Sequence, residues 1–239
     1  MRRAIMAVLM VTTAACTTTP PIESPPLPPA SEAPPPAEAP PPAQDGYDLA
    51  AQRAKIVPIQ MNPNTSFLNA EERQVVNLLI DAAELMNPIY LRQRFAENPA
   101  IRAAIEASDA PNKALLLDMY DLHFGPWDTL DENHPFWGTT EWPEGAGFYP
   151  PDLTKAEFDA YLAAHPDQRE ALTSPYTVVR RQGDRLVAVP YSEEYRQWLE
   201  PAAKLLEQAA AITSNASLKR FLNLRAEAFR SNEYYESEL

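Results

Sequence analysis

Apolar residues recur at helical spacing along most of this chain, and a pair of strands can be read in one place only. The first clear helix opens at Asn69, a capping residue with Glu72 where a capping box places its acid. Val75, Val76, Leu78, Leu79, Ala82, Ala83 and Met86 give it a broad apolar face. Asn87-Pro88 ends it, because proline disfavours the helical region for the residue before it. Short helices are expected at about 89–97 and 99–107. Another runs from Asn112 to about Leu122, with Leu115, Leu116, Met119 and Tyr120 at core spacing, until Gly125-Pro126 stops it. Thr154 with Glu157 forms a second capping box for a helix carrying Phe158, Tyr161 and Leu162. Ser192 caps the next, where Tyr195, Trp198 and Leu199 begin a face continued by Leu205, Leu206 and Ala209, and where Pro201 marks a kink or a restart. A last helix from about Ser217 carries Leu218, Phe221, Leu222 and Phe229 towards Tyr234-Tyr235, with no capping glycine, so the chain has the look of one cut short at Leu239.

The exception is 174–192, SPYTVVRRQGDRLVAVPYS. Thr177, Val178 and Val179 lead one β-prone run and Leu186 to Val189 form the other, around the polar turn Arg181-Gln182-Gly183-Asp184. Gly183 supplies the positive φ that such a turn demands, and Pro175 and Pro190 bound the pair. A two-stranded hairpin is marginal in water, so it must lie on flanking helices or join strands from elsewhere. The fold class expected is therefore mainly α with a small β-hairpin, an α+β domain.

Residues 124–151 follow neither period. Trp127, Trp137, Trp142, Phe136, Phe148 and Tyr149 crowd a stretch that also holds four glycines and five prolines, and no regular element fits it. A loop of this length in a compact domain is either functional or packed by its own aromatic side chains. Two readings stand: the aromatic residues cover a groove between helices, or Trp127, Trp137, Trp142 and Tyr149, with Tyr176 of the hairpin, line a ligand cleft. His123, Asp128, Asp131, Glu132 and His134 are the one arrangement suggestive of a metal. Their spacing does not place the histidines on one helical face, and a solvated or hydrogen-bonded loop is the better reading.

Composition changes the picture at the N-terminus. Arg2 and Arg3 precede an apolar run, Ile5 to Val11, too short to span a bilayer, so 1–15 is expected to be a secretory signal. Thr13-Ala14-Ala15-Cys16 resembles the lipobox of bacterial lipoproteins, which makes Cys16, the single cysteine, the expected lipidation site and excludes a disulfide within the chain. Twelve of the residues in 17–44 are proline, as in a semi-rigid spacer, and Thr17 after the cysteine favours the outer membrane, facing the periplasm. The domain proper is then 46–239. The formal net charge of −13 becomes −15 once Arg2 and Arg3 leave with the signal, which argues against nucleic acid as a partner and leaves membrane contact to the lipid.

The motifs of common catalytic chemistries are missing. There is no G-x-S-x-G elbow, no phosphate-binding glycine loop and no dinucleotide fingerprint. His123 precedes Phe124, and His134 and His165 each precede proline, so no zincin-type histidine-glutamate pair exists. Adjacent acids such as Glu71-Glu72 and Glu193-Glu194 suit helix N-termini better than acid–base work.

The phrases HFGPWDTLDENHPFWG, GAGFYPPDLTKAEFDAYL, SPYTVVRRQGDRLVAVPYSEEY and LKRFLNLRAEAFRSNEYYES resemble the N-terminal part of bacterial zinc-dependent hydrolases related to dipeptidyl-peptidase III. The resemblance implies a longer, two-lobed peptidase with a wide cleft, of which this chain is an incomplete N-terminal portion. Zinc ligands and catalytic glutamate are implied beyond Leu239, so no catalytic residue is carried over and no zinc is expected on this chain itself. The partners implied are a peptide substrate in the full-length protein and the missing C-terminal portion, or another protein, at an exposed hairpin edge. A different class of reading is a non-catalytic lipoprotein that binds peptide, glycan or a protein partner through the aromatic loop.

Overall fold

A computed structural model describes residues 46–239; the expected signal, Cys16 and the proline-rich spacer lie outside the described residues. The first half contains helices α1 (Leu49–Ala54), α2 (Ala70–Glu84), α3 (Asn87–Arg94), α4 (Asn98–Ala107) and α5 (Lys113–His123), then two short strands, β1 (Trp127–Asp128) and β2 (His134–Pro135). Helices α6 (Lys155–Ala164) and α7 (Arg169–Leu172) lead to the hairpin β3 (Thr177–Gln182) and β4 (Arg185–Pro190). The chain continues through α8 (Tyr191–Glu194), α9 (Arg196–Ile212), α10 (Ala216–Ser231) and α11 (Tyr235–Glu238). This is the mainly helical α+β class read from the sequence. Among the described residues no helix is long and apolar enough to cross a membrane.

Helices α2, α9 and α10 share one core built largely of small residues: Ala82, Ala202, Ala203, Ala209, Ala210 and Ala226, with Val75, Leu206 and Leu222 between them. Alanine at the crossings lets helix axes approach to the short end of the usual 8–10 Å. The capping box at the start of α2 is complete, Asn69 Oδ1 accepting from the Glu72 N–H and Glu72 from the Asn69 N–H. Helix α9 runs through Pro201 without restarting. One lost backbone hydrogen bond is outweighed by the burial of Leu199, Ala202, Ala203, Leu206, Ala209 and Ala210 on the same helix.

Several boundaries differ from expectation, each for a local reason. Pro88 does not merely end a helix; it sits in the first turn of α3, where its missing N–H has no helical partner to lose. Ser192 is not a cap, because Pro190 holds that position for α8, and Ser192 instead exchanges two hydrogen bonds with the Asn232 amide. Asn215 caps α10, which begins at Ala216, one residue from the expected start near Ser217. The absent capping glycine at its end is replaced by Asn232, left-handed at φ 65°. At the start of α6 the Thr154 hydroxyl accepts from the Glu157 N–H, while the Glu157 carboxylate is turned to Arg181.

The hairpin is longer than its apolar run suggested, and its turn is only Gly183-Asp184, with Gln182 paired to Arg185 and Gly183 at φ 59°. Both faces are covered by helices. Val178 packs with Ile89, Tyr195 and Leu199, while Val179 and Leu186 pack with Leu162 and Leu172. Among the described residues the sheet has two strands. The outer edge of β3 donates Val179 N–H to the carbonyl of Phe148 at 2.7 Å, so the aromatic loop already occupies part of that edge.

Candidate functional site

The aromatic loop begins where α5 ends. Phe124 turns left-handed (φ 51°, ψ 47°), and its carbonyl accepts from Arg94 Nε and from Asn98 Nδ2, both at 3.1 Å. Asn98 is fully buried and also donates to the Leu91 carbonyl, so one side chain ties the end of α5 to α3. Gly125 lies flat against the Trp127 ring, where an added Cβ would come within 3.1 Å of it. The loop is not devoid of regular structure: Trp127 pairs with Pro135 and Asp128 with His134, around a turn in which Glu132 and Asn133 are both left-handed. The contacts of the Phe124 carbonyl are long-range in sequence, and the strands are two residues each, too short for a period to mark them.

The ligating-type residues converge around Asp128. Its carboxylate is wholly buried, accepting from Tyr47 Oη at 2.9 Å and from the Leu130 N–H at 2.9 Å, with His123 Nε2 at 3.6 Å. His123 Nδ1 accepts the Thr129 N–H at 3.2 Å and faces Thr129 Oγ1 at 2.9 Å. With Nδ1 an acceptor, the neutral ring carries its proton on Nε2, towards Asp128. Burial holds the His123 pKa below its usual value despite the nearby carboxylate. Burial and the hydrogen bond to Asp128 push the Tyr47 phenol above its ordinary range. Tyr47 stacks on His134 with ring centroids 4.3 Å apart, and Gln52 Nε2 reaches Asp131 Oδ2 at 3.4 Å. Tyr47, Gln52, Asp131 and His134, with Asp48 and Lys55, line an open, polar concavity of about 340 Å³.

This set does not fit zinc. Among the described residues no three His, Cys, Asp or Glu side chains are grouped to hold a metal ion. Asp128 is engaged by Tyr47, and His123 Nδ1 by Thr129. Glu132 is part of the turn. The arrangement is a buried clamp that fastens the start of the domain to the loop.

The five aromatic residues considered for a cleft do not form one surface. Trp127 is 0 % and Trp137 5 % exposed. Trp127 donates Nε1–H to the Thr140 carbonyl at 2.8 Å, and Trp137 sits in the core of α4 and α5 with Ile105, Leu116 and Tyr120. Trp142 lies beside Trp127 and is capped by the Arg94 guanidinium, 3.9 Å above its ring. Tyr149 packs edge-on against Phe158, and Tyr176, 40 % exposed, stacks on Tyr234. Sequence reasoning missed Tyr47, Gln52, Arg94 and Asn98. The one signal for the first two is the capping residue Asp48 after the proline-rich stretch: Tyr47 precedes it and Gln52 lies in the short helix it opens.

The end of the loop fastens to the rest of the domain by backbone. Gly147 donates its N–H to the Gln93 carbonyl at 2.8 Å, and its own carbonyl accepts from Arg180 Nη1 at 3.2 Å. Arg180 also pairs with Glu194 at 2.5 Å, so loop, α3, β3 and α8 meet at one point.

Two solved structures are similar to this chain. DPP III from Caldithrix abyssi is 44% identical with a TM-score of 0.76, over 79% of this chain and 36% of that one. Dipeptidyl-peptidase III from Corallococcus sp. strain EGB is 39% identical with a TM-score of 0.75, over 80% of this chain and 36% of that one. Nudix hydrolase 3 of Arabidopsis thaliana is 29% identical over 243 residues, 80% of this chain and 32% of the plant protein. No protein-family model matches the chain. The chain thus spans about a third of the length of each relative. Over that third, the domain has the fold of the dipeptidyl-peptidase III structures.

Proposed function

We propose that this chain is the N-terminal segment of an envelope-anchored, zinc-dependent dipeptidyl peptidase, held through a lipid on Cys16 at the outer membrane and facing the periplasm. The observation that carries the reading is the 44% and 39% identity to two dipeptidyl-peptidase III structures over four-fifths of this chain. In this reading the zinc and its general base belong to the longer protein. When bound in the longer protein, zinc would supply an activated water for peptide hydrolysis. The residues of this chain take no chemical step; they hold the loop, α3 and the hairpin in fixed register, and the hairpin edge receives the polypeptide that completes the fold. The peptide substrate is bound by the whole protein. Nucleic acid is disfavoured by the net negative charge.

A role confined to ligand binding by the aromatic loop has less support, because Trp127 and Trp137 are buried in the core. The test is zinc content and hydrolysis of a dipeptidyl arylamide by the native protein, captured from its membrane with an antibody to residues 46–239. One zinc per chain and dipeptide release lost on chelation are expected. Neither zinc nor hydrolysis in the native protein would overturn the reading.

A further inference from the structure

Large apolar side chains crowd the surface of one stretch. Val57, Ile59 and Met61 are 73, 81 and 82% exposed, Phe67 follows, and Val76 and Ile80 are exposed on α2. Val76 and Ile80, with exposed Ala83, fall at i, i+4 and i+7, one flank of the helix. The adjoining flank, Val75 and Ala82, is packed into the core with α9 and α10. The apolar arc of α2 is therefore wider than its partners cover. The backbone of 57–62 makes no hydrogen bond to the described residues and belongs to no helix or strand.

The pattern V-P-I-Q-M has strand period, with Val57, Ile59 and Met61 on one face once the segment is extended. In a strand the N–H groups of 57, 59 and 61 point to one edge, and those of 60 and 62 to the other, where Pro58 has none to offer. The segment is thus suited to pair through one edge only, as an outermost strand does.

We infer that Val57–Met61 is a docking strand, which pairs with a sheet edge in the polypeptide C-terminal to this chain while that polypeptide also covers Val76 and Ile80. The inference rests on the peptidase reading. Its occupant follows from the length relation: about two thirds of each dipeptidyl-peptidase III structure has no counterpart in this chain. Native protein, purified from its membrane, is weighed intact, and its amide exchange at 57–62 is compared with that of this 239-residue chain made recombinantly. The expected result is a longer native protein in which the Val57, Ile59 and Met61 amides exchange roughly a hundredfold more slowly than in the recombinant chain, and Gln60 does not. A longer protein with unchanged exchange at Ile59 and Met61 overturns the docking strand and leaves the peptidase reading standing. Equal protection of Gln60 overturns the one-edged pairing. A native mass no greater than that of this chain overturns both.

Discussion

The hydroxyl of Tyr47 donates to the buried carboxylate of Asp128 at 2.9 Å, across a sequence separation of 81. The contact fixes the first described residues onto the loop between α5 and α6. Tyr47→Phe deletes a hydrogen bond to a charged acceptor and is predicted to cost about 1.5–3 kcal/mol of unfolding free energy. Urea denaturation with an unchanged m-value checks it.

His123 makes stability depend on pH. Its folded pKa is held below the ordinary value of 6.5 by burial, so between that value and the lower folded one the unfolded chain binds more protons. The contribution is complete above pH 6.5 and declines as pH falls through the folded pKa, with a slope of at most about 1.4 kcal/mol per pH unit. His123→Gln is predicted to flatten the stability profile just below pH 6.5, whatever its stability at pH 8. Denaturant midpoints across that window give the slope directly.

Two glycines in the loop are predicted to respond differently to the same change. A Cβ at Gly147 would sit 1.7 Å from the Arg92 carbonyl oxygen, so Gly147→Ala must displace the backbone joint between the loop and α3, at a cost of about 3 kcal/mol or more. At Gly138 nothing lies within 4 Å, and Gly138→Ala meets only its positive φ, at about 1 kcal/mol. Thermal melts of the pair rank them.

Trp127 is a core residue with a satisfied N–H. Trp127→Ala is predicted to destabilise by about 3–5 kcal/mol, more than Trp142→Ala, because Trp142 is only half-buried. Acrylamide quenching of single-tryptophan variants is predicted to leave Trp127 the less accessible of the two.

What was legible in the sequence was what is local. The Asn69–Glu72 capping box and the Gly183 turn each draw on a few neighbouring residues; the box formed as read, and the turn formed at Gly183 but tightened to Gly183-Asp184. Helix α1 escaped notice because six residues carry too little periodicity. The loop was opaque for another reason. Its shape comes from Asn98 reaching the Phe124 carbonyl, Gly147 the Gln93 carbonyl and Phe148 the Val179 N–H, pairings between segments tens of residues apart. The same holds for the clamp, since nothing in Tyr47's own neighbourhood announces Asp128. The tryptophans were visible as a cluster in sequence, but the fold sends Trp137 to one core and Trp142 to the underside of an arginine.

The central claim is that this domain works as one part of a longer, lipid-anchored peptidase. The intact mass of the native protein, extracted from its own membrane with an antibody to residues 46–239, tests it most directly. The account predicts a mass more than twice the 26.7 kDa of this chain and an N-terminal peptide carrying lipid on Cys16. A lipidated protein near the size of this chain alone would contradict it.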